Sequence, residues 1–210
     1  MGLAAAATTA LDPIMGNPAL GAQVLDNEMK GATILTRARC VEDMLGKAAL
    51  EKVAAALPPD VVDVWRKPPL ATSWIPIRQL VEVDRAIITA LYGGDVSRIR
   101  DLALRGAQYE LNAIYRFLLK LGSPGFVMKR LSVAFSAKVK RGVLAEVKSE
   151  PNTVTLALRE AVLPLYFCEH TMNTWAATAV ELTGAKDVKV QQLECRHRGG
   201  AACTWVTTWR

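Results

Sequence analysis

Three cysteines near the C-terminus, Cys168, Cys195 and Cys203, stand at spacings that suit shared chemistry. The last two bracket Gly199-Gly200 within ECRHRGGAACTW, between two runs of strand-like residues. Glycine tolerates the positive φ of tight turns, so the stretch reads as a hairpin centred near residue 199. Residues opposed across such a hairpin have Cβ atoms about 4.5–5.5 Å apart, which suits two thiolates on one tetrahedral zinc. Cys168 would add a third sulfur from a helix packed on the sheet. Glu194, His197, His170 or water could fill the fourth position, and strand alternation puts His197 on the Cys195 face. The competing reading is plain packing, since free cysteine behaves as a small core hydrophobe. Cys168-Glu169-His170 also resembles a nucleophile beside an acid and a base. Consecutive helical residues point about 100° apart, however, so the three cannot converge unaided. No nucleophile elbow, phosphate-binding glycine loop, His-Glu-x-x-His or deaminase signature occurs. No catalytic residues are expected, and the chain reads as non-enzymatic.

The elements that must position these residues change character along the chain. Residues 1–30 lack a sustained period and read as a flexible, dispensable arm. VEDMLGKAALEKVAAAL (41–57) predicts a helix stopped by Pro58-Pro59, followed by a Pro-punctuated connection with at most a short helical turn. IPIRQLVEVDRAIITALYGG predicts a second helix, with Pro76 near its first turn and Gly93-Gly94 after its end. Asp95 can cap a third, which Gly106 is expected to break in two and Ser123–Gly125 to close. Beyond about residue 130 the period falls to two: LSVAFSAKV, GVLAEVKS and NTVTLALRE predict strands, the last two joined by a turn at Glu150-Pro151-Asn152. A helix over roughly 161–183 and the terminal hairpin complete the pattern, with Leu193 and Trp205 expected to meet across the hairpin. The fold class is therefore α+β: a helical half (31–130) packed on an antiparallel sheet (131–210) with a crossing helix and a C-terminal β-hairpin, all one domain.

Composition narrows the setting. With 51% hydrophobic residues, 210 positions can bury one core. No run of about 18 apolar residues exists, so no membrane partner is expected. The start lacks a basic region and an apolar core, so no secretory signal is read and the protein is expected in the cytoplasm, its cysteines reduced. A net charge of +6 gathers at Lys129-Arg130, Lys138, Lys140-Arg141 and Arg196–Arg198. No DNA-binding or RNA-stacking motif accompanies it, so a solvated basic face is expected rather than a nucleic-acid partner.

C-x26-C-x7-C with strand pairs on either side resembles the 4-vinyl reductase domain, the sensor of phenol- and xylene-responsive bacterial transcription activators. The resemblance implies a structural zinc held by three cysteines and a glutamate three residues before the second cysteine. Gln192 occupies that position here, so Glu194, His197 or His170 would have to substitute. Residues 31–210 also resemble a myxobacterial family of unknown function, through KRGVLAEV, VTLAL, a helix ending in LTGAK and a hairpin closing on Trp209. Both families resemble the fold of haem-NO-binding sensors and TRAPP transport-particle subunits. In that fold helices and a curved sheet enclose a pocket for haem, an aromatic molecule or an acyl chain. The haem sensors' Tyr-x-Ser-x-Arg clamp is missing, so haem is not expected.

These readings lead to a non-enzymatic regulatory or sensor-type domain that binds a small apolar ligand, a protein partner, or both. The candidate pocket residues are Phe135, Leu156, Tyr166, Phe167 and Trp175. The candidate zinc ligands are Cys168, Cys195, Cys203 and His197. The chain contains no output domain, so a signal would pass through a partner. The alternative is a ligand-free interaction module acting as a homodimer through its helical half.

Overall fold

The computed structural model describes residues 11–114 and 123–210. A short helix α1 (Gly21–Leu25) and strand β1 (Glu28–Lys30) lead into α2 (Ala32–Leu45), α3 (Lys47–Ala56) and α4 (Pro59–Arg66). Strand β2 (Trp74–Pro76) pairs antiparallel with β1 and runs directly into α5 (Ile77–Tyr92), followed by α6 (Ile99–Ile114) and α7 (Pro124–Ser136). The C-terminal half holds β3 (Val143–Glu150), β4 (Thr153–Arg159), a π-turn (Phe167–Thr171), α8 (Met172–Glu181), β5 (Lys189–Glu194) and β6 (Cys203–Thr208). These four strands form one antiparallel sheet in the order β3-β4-β6-β5. The expected α+β class is observed.

Alternation decides which sheet face is buried. Cys203, Trp205 and Thr207 point inward along β6, opposite Leu158, Leu156 and Val154 of β4. Leu144 extends the row into β3, opposite Leu158, and Val190 extends it into β5, opposite Thr207. Helices α7 and α8 pack on this face, α6 packs on α8, and α2 packs on both α6 and α5.

Several local expectations are corrected. The LSVAFSAKV segment is helical over Leu131–Ser136, not a strand. Ser123 does not close a helix but caps the start of α7, accepting from the Phe126 N–H at 3.2 Å with Pro124 in the first turn. A strand would put Leu131, Val133 and Phe135 on one face, yet Val133 is 60% exposed while Leu131 and Phe135 are buried with Val127 and Met128. That is a helical stripe. Gly106 does not break α6. Its missing side chain lets α6 approach α2, since a Cβ there would lie 3.0 Å from Thr36 Cγ2. The helix expected over 41–57 is two helices meeting at Gly46, whose φ of 81° ends α2. Pro59 starts α4 rather than only stopping the helix before it. Pro164 precedes the last long helix, which begins after it rather than near residue 161.

The terminal hairpin is real, but its connection is wider than a Gly-Gly turn. A short 3₁₀ turn, Arg196–Arg198, ends on Gly199 in the left-handed region. Leu193 sits at a bulge between Gln192 and Glu194 and is 57% exposed. It therefore does not meet Trp205, whose cross-strand partner is Gln192.

The arm expected over residues 1–30 is built into the fold from Leu11 onward. Ile14, Val24 and Met29 are buried, and the Tyr166 N–H donates to the Ile14 carbonyl at 3.3 Å. β1 lies between β2 and the Lys138–Lys140 segment, with Lys30 N donating to Lys138 O and Lys140 N to Glu28 O, both at 2.9 Å. Asn27 ties in the same corner, donating to Arg141 O at 3.0 Å. Each fully buried apolar side chain contributes roughly 1.5–3 kcal/mol. Removing residues 11–30 is therefore expected to lower the melting temperature sharply, and a truncated protein melting with the full chain would contradict this packing.

Candidate functional site

α2, α6, α7 and α8 stand over the inner face of the sheet without filling the space between them. They leave a cavity of about 100 Å³. The sheet contributes Leu144, Leu156, Trp205 and Thr207 to its wall, and Met29 of β1 comes from the N-terminal segment. Small residues of α6, Ala103, Gly106 and Ala107, keep that side open. Met128, Leu131 and Phe135 of α7 face Phe167, Thr171, Met172 and Trp175 of the π-turn and α8. Nearly all of this wall is apolar, and the polar groups that reach it are few.

One of these groups is Arg37, which is 4% exposed. Its Nε donates to Asp84 Oδ1 at 2.8 Å and its Nη2 to Asp84 Oδ2 at 3.3 Å, tying α2 to α5. The Tyr166 hydroxyl donates to the same Asp84 Oδ2 at 2.7 Å. Burial pulls against the Arg37 charge, but Asp84 more than offsets it and holds the guanidinium above its usual range. Burial first and the Asp84 carboxylate second push the Tyr166 hydroxyl well above its usual range, so it stays a donor. At the open side, Glu110 of α6 accepts from Trp175 Nε1 at 3.2 Å and forms an ion pair with Lys138, closing a polar rim.

Of the five candidate pocket residues, Phe135, Leu156, Phe167 and Trp175 line the cavity. Tyr166 does not. It is fully buried behind the wall and committed to Asp84. Sequence reasoning missed Met29, Arg37, Gly106, Glu110, Lys138 and Thr171. Gly106 inside a good helical pattern was the one available signal, read as a break rather than as a close approach.

The three cysteines do gather, with Cys203 between Cys168 and Cys195. All three are buried. The Cys168 thiol beside it and its own burial push Cys203 up to about 12, and Cys195 is raised by Cys203 and by burial. His197, the expected fourth ligand, lies 2% exposed between two backbone groups. Its Nδ1 accepts from the Asn17 N–H at 3.1 Å, and its Nε2 lies 2.7 Å from Leu163 O. Gly16 makes this possible, since a Cβ there would come within 2.3 Å of the ring. Among the described residues no three His, Cys, Asp or Glu side chains form a metal-holding group. His197 is therefore not free to act as the fourth ligand, and Cys168, Cys195 and Cys203 form a buried thiol cluster beside a histidine clamp. Trp205 joins that cluster to the cavity, its Nε1 donating to Cys168 O at 3.2 Å. The Cys168-Glu169-His170 trio diverges: Cys168 points inward, Glu169 pairs with Arg198, and His170 accepts from Arg100 Nε at 3.2 Å.

No protein-family model matches the sequence, and no curated protein does. Solved structures match in fold. The Fe(II) unliganded H-NOX protein from K. algicida superposes with a TM-score of 0.63 at 14% identity, covering 87% of this chain and 97% of that one. An oxygen-binding H-NOX domain related to soluble guanylate cyclases, in its oxygen complex, gives 0.61 at 12% identity, covering 87% and 95%. A structure concerned with modulating haem redox potential through porphyrin distortion gives 0.60 at 11%, covering 86% and 99%. The expectation against haem, which rested on the missing Tyr-x-Ser-x-Arg clamp, is corrected by these neighbours: the fold is shared with proteins described by their iron and haem states. The side chains present do not fit a haem as they stand. No imidazole lines the cavity, because His197 is clamped elsewhere and His170 faces Arg100. Its volume also falls well short of the roughly 300–1,000 Å³ of common ligand sites.

Two outcomes are expected. Asp84→Ala leaves Arg37 buried without its partner and should cost about 3–5 kcal/mol, read by denaturant unfolding; Tyr166→Phe should cost far less. Burial lowers the His197 pKa below 6.5, so its contribution is full above the unfolded value and lost as pH falls through the folded one. Stability should decline on acidification below about pH 6.5, less steeply in His197→Gln; equal slopes would remove the clamp's role.

Proposed function

We propose that this chain is a non-enzymatic, sensor-type module that admits a small apolar guest to the cavity and passes occupancy to a protein partner. The carrying observation is the cavity itself: an apolar space with a polar rim, walled by four helices and one sheet face. Well-packed interiors rarely leave such space, and dry apolar cavities of the order of 150 Å³ take benzene-sized guests. The likeness of fold to H-NOX domains supports a ligand-binding role without naming the ligand. The divergence of Cys168, Glu169 and His170 supports a role without catalysis. The cysteine spacing that resembles 4-vinyl reductase sensors supports the same reading, since the thiol cluster touches the cavity wall through Trp205. The partner we propose is a second copy of the chain, meeting through exposed apolar side chains of α2 and α6, among them Leu35, Met44 and Leu104.

Binding is tested by melting the protein with a graded series of cyclic hydrocarbons from cyclopentane upward. Members that fit should raise the melting temperature in proportion to the logarithm of their concentration. Ala176→Phe, which places a ring in the cavity, should abolish the rise. A flat response across the whole series in the wild type would overturn the proposal.

A further inference from the structure

Resting on that cavity reading, the polar groups of the wall specify the guest. Thr171 lines the cavity and is 8% exposed. Among the described residues its hydroxyl has no hydrogen-bond partner. Its neighbours in sequence show that this is not the habit of the segment. The Thr178 hydroxyl donates to Thr174 O at 2.8 Å and the Thr183 hydroxyl to Val180 O at 2.7 Å. Thr171 ends the π-turn, where the carbonyl four residues back, that of Phe167, accepts from the Met172 N–H instead. A buried hydroxyl without a partner destabilises the fold, and π-turns are concentrated at functional sites.

Arg37 gives a second indication. Asp84 takes its Nε and Nη2, and the guanidinium they anchor lines the cavity. A guanidinium can only donate, and a threonine hydroxyl can donate. The wall therefore offers donors and calls for an acceptor. Charge decides which acceptor. Asp84 already balances Arg37, so a carboxylate guest would add a buried, uncompensated anion. A carbonyl oxygen would not.

We infer that the cavity selects a small alicyclic guest bearing one neutral oxygen acceptor, of the ketone class, and that Thr171 is the residue that reads this oxygen. The apolar body of the guest lies against Leu156, Phe167 and Trp205, and the Thr171 hydroxyl donates to the oxygen.

The test compares cyclohexanone with methylenecyclohexane, which replaces the oxygen by a CH₂ group of similar shape, and with cyclohexanecarboxylate. Binding to the full chain is read by ligand-detected NMR and melting temperature. Wild type should bind cyclohexanone roughly tenfold more tightly than methylenecyclohexane, the scale of one neutral hydrogen bond, and should not bind the carboxylate. Thr171→Val should erase that preference and melt higher than wild type without ligand, because the unpaired hydroxyl is gone. Thr171→Ser, which keeps the hydroxyl, should keep the preference and serves if the valine variant fails to fold. Equal binding of both neutral probes by wild type, or a preference that survives in Thr171→Val, overturns the role of Thr171 but leaves the apolar cavity standing. Failure of wild type to bind either neutral probe overturns this inference, and together with a flat response across the hydrocarbon series it removes the cavity reading as well.

Discussion

A charge pair sealed from solvent, Arg37 with Asp84, is the constraint around which the helical half is arranged. Both side chains are buried, and either one alone would be an uncompensated charge in a low-dielectric interior. The pair therefore requires α2 and α5 to stay in register across their whole contact. Tyr166 extends the requirement to the C-terminal half, since its hydroxyl completes the Asp84 coordination just before the π-turn. Three segments far apart in sequence meet at one carboxylate. The same arrangement sets the back wall of the cavity, because Arg37 faces it from one side while holding Asp84 on the other.

The cavity and the cysteine cluster lie on two sides of Trp205, and their chemistry differs for one reason. Around the cysteines the imidazole and the nearest carboxylate are already engaged: His197 with the backbone of Asn17 and Leu163, Glu169 with Arg198. The thiols are left to one another and to burial. Around the cavity the reverse holds. Small residues on α6 and an unpaired hydroxyl on the π-turn leave both space and hydrogen-bonding capacity unused. A site is marked here by what is left over after packing, not by a conspicuous motif.

The N-terminal segment belongs to this economy. Met29 reaches the cavity, Gly16 and Asn17 close over His197, and Ile14 accepts from Tyr166. None of these contacts has a periodic sequence signature, because each joins a short, irregular stretch to a distant element through the backbone. Absence of periodicity was therefore a poor guide to absence of packing.

The sequence by itself determined the α+β class, the β3–β4 hairpin, α5 with its glycine stop, the terminal strand pair and the gathering of Cys168, Cys195 and Cys203. These follow from local rules: side-chain period, turn residues and the inward alternation of a half-buried strand. It also picked out Phe135, Leu156, Phe167 and Trp175, since large apolar side chains on a crossing helix and its sheet must meet. Tertiary structure alone decided the rest. Leu131 and Phe135 suit both a strand and a helix period, and only the cap at Ser123 with the packing of α7 on the sheet, which leaves Val133 outside, separates them. Gly106 reads as a breaker until α2 lies against it. Arg37, Glu110, Lys138 and Thr171 look like ordinary surface or helix residues in the sequence. They become a site only when elements up to 178 positions apart enclose one space, because the free energy of burying or orphaning a polar group depends on neighbours that no local pattern records.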